Sequence, residues 1–202
     1  MWFGTQDGLD KYDGTSFTVY KHDTEDPTSI SDNWILAILE DSQGTLWIGT
    51  LSGGLNSYDR ELNQFTSYQH DPGDKYSLSN NEVLALYEDS AGTIWVGTRG
   101  GLNKFDRQND TFTRYQHDPK DTNSLSASAV LSIYEDGDGD IWIGTDNGLN
   151  LFDSQSQTFS HYQHDPNDLQ SISNNTVRSI FEDRSGSFWL GTEGGLNKFD
   201  PQ

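Results

Sequence analysis

Apolar residues in this chain come in short runs, about five residues each, separated by clusters of Gly, Asp, Asn and Ser. Four such runs make a unit. In the second full copy, run A covers 83–87 (Val-Leu-Ala-Leu-Tyr) and run B covers 93–98 (Thr-Ile-Trp-Val-Gly-Thr). Run C covers 102–106 (Leu-Asn-Lys-Phe-Asp) and run D covers 111–115 (Thr-Phe-Thr-Arg-Tyr). Each run is rich in β-branched or aromatic residues and is too short for a 3.6-residue period to establish a helix. The pattern predicts strands throughout.

The connections repeat as regularly as the strands. A leads to B through Asp-x-x-Gly, at Asp41 to Gly44, Asp89 to Gly92, Asp136 to Gly139 and Asp183 to Gly186. Asp can accept from its own downstream backbone at a turn's start, and Gly tolerates positive φ at its end. B leads to C through a tight Gly-containing turn, and C to D through a polar one. The D-to-A connection is long, running from His70-Asp71-Pro72 to Ser79-Asn80-Asn81 in one copy. That length suits a crossing from the outer strand of one sheet to the inner strand of the next.

The run-B tryptophan recurs at Trp2, Trp47, Trp95, Trp142 and Trp189, a period of about 47 residues, which marks a stacked supersecondary unit. Four antiparallel strands per unit predict an all-β fold of the β-propeller type, with the Trp filling the wedge between blades and its neighbouring Gly permitting close backbone approach. One propeller domain over 1–202 is expected, with units at about 1–30, 31–77, 78–124, 125–171 and 172–202. The first copy lacks run A and the last lacks run D, so eighteen strands are expected. Both ends carry B and C and do not complement each other neatly. Two outcomes stay open: five blades closed with an imperfect seam, or an arc with exposed edges that recruit a partner, including a second copy by ring closure or strand exchange.

Composition narrows the partners. With 32 acidic against 12 basic residues the net charge is −20, which disfavours nucleic acid and anionic membrane surfaces. There is no cysteine, so no disulfide or thiolate chemistry arises. No membrane-spanning apolar run and no signal peptide are visible, and Met1 stands directly before Trp2 in mid-repeat, as in a piece of something longer.

Candidate chemistry is weighed against repetition. His-Asp recurs at His22, His70, His117 and His164; a His beside a carboxylate suits a general base, but four copies around a ring suit a strand-end turn. Asp136-Gly137-Asp138-Gly139-Asp140 resembles half a calcium loop, yet the equivalent turns lack the ligands, so a hairpin turn is the better account. Glu40-Asp41 and its equivalents are adjacent on a strand and point to opposite faces, so they cannot flank one glycosidic bond and are read as a solvated strand end. The unrepeated His161 falls on the outer strand, away from a channel. No catalytic residue, cofactor or metal is expected.

Positions where the copies disagree are more informative. Run A opens on Trp34, Glu82, Ala129 or Thr176, and two places on Leu36, Leu84 and Leu131 give way to Arg178. The B–C turn reads Leu51-Ser52, Arg99-Gly100, Asp146-Asn147 or Glu193-Gly194. In a propeller the D–A and B–C connections emerge on one face. Trp34, Arg99, Asp146, Asn147 and Arg178 are therefore expected to share a rim, where an aromatic with scattered polar groups suits a sugar or small polar ligand. Neutral drift on exposed loops is the competing account.

The run Trp-Ile-Gly-Thr-x-x-Gly-Gly-Leu-Asn, preceded by Glu-Asp-x-x-Gly-x-x-Trp, resembles the two-component regulator propeller repeat. The likeness covers essentially the whole chain in five copies; the first departs, with Asp10 in the Asn position and no run A. The resemblance implies a periplasmic or extracellular sensor module of a bacterial signalling protein, with glycan fragments among its ligands. A protein-interaction scaffold is the alternative, and a propeller lyase or glycosidase a further one.

Overall fold

The computed structural model describes residues 1–200. Among them are eighteen strands in five antiparallel sheets. The first blade is β1 (Trp2–Gly4), β2 (Leu9–Tyr12) and β3 (Phe17–Tyr20). The second is β4 (Ile35–Glu40), β5 (Leu46–Thr50), β6 (Leu55–Asp59) and β7 (Gln64–Tyr68). The third is β8 (Val83–Glu88), β9 (Ile94–Thr98), β10 (Gly101–Asp106) and β11 (Thr111–Tyr115). The fourth is β12 (Val130–Glu135), β13 (Ile141–Thr145), β14 (Gly148–Asp153) and β15 (Thr158–Tyr162). The fifth is β16 (Val177–Glu182), β17 (Phe188–Thr192) and β18 (Gly195–Phe199). Within every sheet the strands lie in chain order, so the predicted propeller architecture stands, with incomplete first and last blades.

The core lies between blades rather than inside one. Trp47 and Leu55 of the second blade pack on Val83, Ile94, Val96, Phe105 and Phe112 of the third. Trp95 and Leu102 repeat this against the fourth, and Trp142 and Leu149 against the fifth. The wedge tryptophan is thus confirmed, and so is the close-approach glycine. A Cβ on Gly97 would stand 2.6 Å from Val130 of the next blade, and one on Gly49 would stand 2.5 Å from Val83. Adding that carbon forces one blade away from the next, because packed interiors leave no slack.

Polar groups repeat with the same fidelity. The Asp-x-x-Gly turn does more than turn. Asp41 Oδ1 accepts from the Gln43 and Thr45 amides, and its Oδ2 accepts from the Trp47 indole at 2.7 Å. Asp89, Asp136 and Asp183 hold Trp95, Trp142 and Trp189 in the same way. Each turn therefore aims the tryptophan six residues on. Asn103 is fully buried; its Oδ1 accepts from the Ser79 amide while its Nδ2 donates to Val96 O. This ties the incoming D–A connection to the sheet. Asn103→Ala would leave the buried Ser79 amide without its partner, and a loss of about 1–3 kcal/mol is expected, visible as a lower urea midpoint at unchanged slope.

Among the described residues the five blades stand as an arc and not a closed ring. Inner strands β4, β8, β12 and β16 are successive neighbours, and β1 lies beside β4, but among those residues no comparable contact joins the first blade to the fifth. Exposure agrees. Phe65, Phe112 and Phe159 are buried, whereas the equivalent Phe17 of the first blade is 58% exposed. Leu55, Leu102 and Leu149 are buried, whereas Leu196 of the fifth is 70% exposed.

Candidate functional site

The D–A and B–C connections do meet on one face. The residue opening each inner strand is hydrogen-bonded by backbone to the residue after the second strand: Leu51 N donates to Trp34 O, Arg99 N to Glu82 O, and Glu193 N to Thr176 O. This backbone staple recurs in the second, third and fifth blades, so it presents different side chains in equivalent places around the rim.

The side chains there fall into two charged groups and one aromatic one. Arg99 makes a two-pronged ion pair with Glu82, Nε to Oε2 at 2.6 Å and Nη2 to Oε1 at 2.8 Å. Glu82 raises the Arg99 guanidinium further, and Asp146 of the next blade contributes to the same field. Arg178 pairs with Glu193 in the fifth blade. Trp34 stands 40% exposed at the mouth of β4. Asp146 is exposed. Asn147 is spent on the scaffold: its Nδ2 donates to Ser126 O at 3.0 Å and its backbone carbonyl accepts from Gln163.

The structure therefore brings Arg99 and Asp146 into one electrostatic neighbourhood and seats Arg178 two blades further on. Glu82 and Glu193 complete the two ion pairs, although neither stood among the expected ligand residues. Arg99 and Glu82 stand at stapled positions 17 residues apart, whereas Arg178, 15 residues from Glu193, is the bulge residue just past the stapled Thr176.

Each inner strand also carries a bulge, at Leu36, Leu84, Leu131 and Arg178, the residue skipped in pairing with the second strand. Bulges re-aim a side chain out of the pleat. These four belong to none of the buried clusters, and they sit on adjacent inner strands. Beside them, where the first blade has no inner strand, a slot of about 240 Å³ is lined by Gly4, Ile35, Leu36, Ala37 and Ile38. Larger grooves of about 420–460 Å³ lie at the opposite end of the blades, between the A–B turn and the C–D hairpin, as at Gly92, Lys104 and Asp106. They recur at equivalent places in successive blades, which marks them as scaffold geometry.

The repeated histidines serve that scaffold too. His22, His70, His117 and His164 each share an Nδ1 hydrogen bond with a carbonyl eight residues on, at 2.6–2.8 Å. His161 Nε2 bonds Ser124 O at 2.7 Å. The expected solvated strand end is corrected in part. Asp41 is buried, and Glu88 and Glu135 accept from Ser42 and Ser90 of the preceding blade, clipping blades together.

An arc of antiparallel blades built on one repeated four-strand plan, three of them complete, and differing mainly at one rim defines a repeat propeller. Its repeat matches the two component regulator propeller family at residues 29–52, 77–100, 124–147 and 171–194, and the chain carries this family's repeat in four copies. Similar solved structures include extracellular domains. One comes from a protein described as a hybrid two component system of B. thetaiotaomicron: it is 31% identical with a TM-score of 0.85, covering 100% of this chain and 27% of that one. Another, also from a hybrid two component system of that organism, is 26% identical with a TM-score of 0.82, over 98% and 25% of the two chains. A 31-residue stretch is 55% identical to a histidine kinase P4 of Formosa agariphila, covering 15% of this chain and 2% of that protein. The chain thus spans about a quarter of the length of the similar structures.

Proposed function

We propose that this chain is the sensing module of an extracytoplasmic bacterial receptor, binding a carbohydrate or other small polar ligand at the D–A/B–C rim without chemical turnover. The observation that carries this reading is the contrast between constant and variable positions. The indole–Asp anchors, buried Asn ties and His–carbonyl bonds recur from blade to blade, while Trp34, Arg99, Asp146, Asn147 and Arg178 come from the strand-opening, B–C turn and bulge positions, whose side chains change from blade to blade. An exposed indole offers a stacking face for a sugar ring, and paired guanidinium and carboxylate groups offer fixed donors and acceptors for hydroxyls. The likeness to extracellular domains of two-component systems supports both the sensor role and a periplasmic or extracellular location. The five units are taken to act as one domain over 1–202.

The non-enzymatic reading rests on how the titratable groups are used. The repeated histidines and the Asp of each A–B turn are tied to the scaffold. The test is an oligosaccharide panel read by thermal shift and titration calorimetry, with product analysis on any hit. A Trp34→Ala/Arg178→Ala double variant is expected to weaken binding at least about tenfold, on the order of 1.4 kcal/mol. Unchanged affinity would remove the ligand from this rim, and product formation would replace the sensor with an enzyme.

A further inference from the structure

The rim carries charge of both signs, but its cations are already taken. Arg99 turns the edge of its guanidinium that a carboxylate grips, Nε with Nη2, onto Glu82. Arg178 turns the same edge onto one oxygen of Glu193, from Nε at 3.2 Å and from Nη2. Lys21, just after β3, is held at 2.7 Å by Asp7 in the first blade's B–C turn. The carboxylates are in excess. Asp146 stands at the place Arg99 takes in the third blade, but the place of Glu82 is filled in the fourth by the buried Ala129. Among the described residues Asp146 forms no ion pair. Asp32 accepts from the Trp34 amide at 3.2 Å and from the Ser52 amide and hydroxyl at 2.8 and 2.7 Å. Burial by itself would raise the Asp32 carboxyl, but the hydrogen bonds from Ser52 and Trp34 outweigh it and hold the group below its ordinary value. A fixed negative charge therefore lies beside the exposed indole.

We propose, resting on the carbohydrate reading above, that Glu82 and Glu193 are specificity residues: they fill the guanidinium edges that would otherwise take a uronate or a sulfate ester, so the rim selects uncharged saccharides. An arginine on a sugar-binding surface would by itself favour acidic sugars, because its planar fork matches a carboxylate two-pronged. Here that fork is spent inside the protein. A ligand carboxylate would have to displace a glutamate and then share the rim with it, with Asp146 and with Asp32. Like charges brought together in this way cost affinity, and the cost falls on the anionic ligand alone. A neutral hydroxyl meets no such cost, since it donates to a carboxylate and accepts from a guanidinium.

Titration calorimetry at low ionic strength tests this, with neutral oligosaccharides and, for each, the C6-oxidised uronate and the sulfate ester of the same backbone. The wild-type chain is expected to bind a neutral form at least about tenfold more tightly than either anionic form. Raising the salt should narrow that preference, because screening weakens the repulsion. Glu82→Gln/Glu193→Gln removes both counter-charges and keeps the shape of the side chains. Both arginines are exposed, so the fold is expected to stand, which near-UV circular dichroism checks. In this variant the ratio of neutral to uronate affinity should fall at least about fivefold, the upper range for an exposed charge. Asp146→Asn, which breaks no ion pair, should move the ratio the same way. A wild-type chain that binds the uronate as tightly as the neutral sugar overturns the proposal. So does a preference that ignores salt or survives these substitutions, because shape and not charge then discriminates. A chain that binds no saccharide at all would instead remove the carbohydrate reading, and this inference with it.

Discussion

Replacing Trp47 with Ala is expected to destabilise the fold by about 3–5 kcal/mol, whereas Trp189→Ala should cost less than half as much. Both tryptophans occupy the same place in the repeat and both donate to the Asp six residues before them. They differ in what lies beyond the ring. Trp47 is 3% exposed and meets the Phe105 ring edge-on at 5.2 Å, with the Arg107 guanidinium over its face at 5.7 Å. Removing it opens a cavity between the second and third blades that neither sheet can fill, because each sheet is held by its own ladder. Trp189 looks out of the fifth blade, where no further blade packs among the described residues. Paired urea titrations measure the contrast. For a chain of this size each kcal/mol is worth about 2–4 °C in Tm, so a thermal scan resolves it as well. Equal losses at the two sites would show that the indole–Asp bond, and not blade packing, carries the tryptophan's contribution.

Asp41→Ala should come next, at about 3 kcal/mol and with a changed pH dependence. The Asp41 carboxylate is 4% exposed. It accepts from two backbone amides and the Trp47 indole, and from Arg107 Nη2 of the third blade at 2.7 Å. Removing it leaves Arg107, whose Nε already has no hydrogen-bond partner, with only the longer Glu88 contact at 4.0 Å. Because Arg107 keeps some contact with water, the expected loss falls at the lower end of the range for broken buried pairs. Burial by itself would raise the Asp41 carboxyl, but the Trp47 and Arg107 hydrogen bonds outweigh it and hold the group below its ordinary value. A depressed folded-state pKa means that the unfolded chain takes up the proton first. The stabilisation is therefore complete above the ordinary carboxylate pKa of about 4 and is lost as pH falls through the lower folded value. Asp41→Ala should flatten the acid limb of the stability curve. An unchanged limb in acid-unfolding titrations would show that other lowered carboxylates, such as Asp32 and Asp183, carry it alone.

Most of the fold is legible in the sequence because a blade is built from short-range rules. Alternation within five residues sets each strand, and Asp-x-x-Gly sets each first turn. Positive φ at Gly44, Gly92, Gly139 and Gly186 follows from the same four-residue motif. The wedge role of the Trp and the close approach of the Gly follow from repetition alone. Less of the rim was legible. The prediction that two sets of connections share one face holds, since backbone staples join them. Yet the pairing of Arg99 with Glu82 and of Arg178 with Glu193 depends on side-chain reach across that staple, and a column of variable residues does not show reach. Asn147 reads as a variable loop residue in sequence, while in space it hydrogen-bonds the neighbouring connection. Glu88 and Glu135 read as solvent-facing acids but clip one blade to another, 46 and 45 residues away.

The sequence by itself determined the unit: four strands, their turns, the tryptophan that faces the next blade, and the number of copies. These depend on contacts within one repeat or between adjacent repeats, which a regular period specifies over and over. Only the tertiary structure decided that the five blades stand as an open arc, with Phe17 bare at one end and Leu196 at the other. Closure depends on the angle summed over every blade interface, and no single repeat encodes that sum.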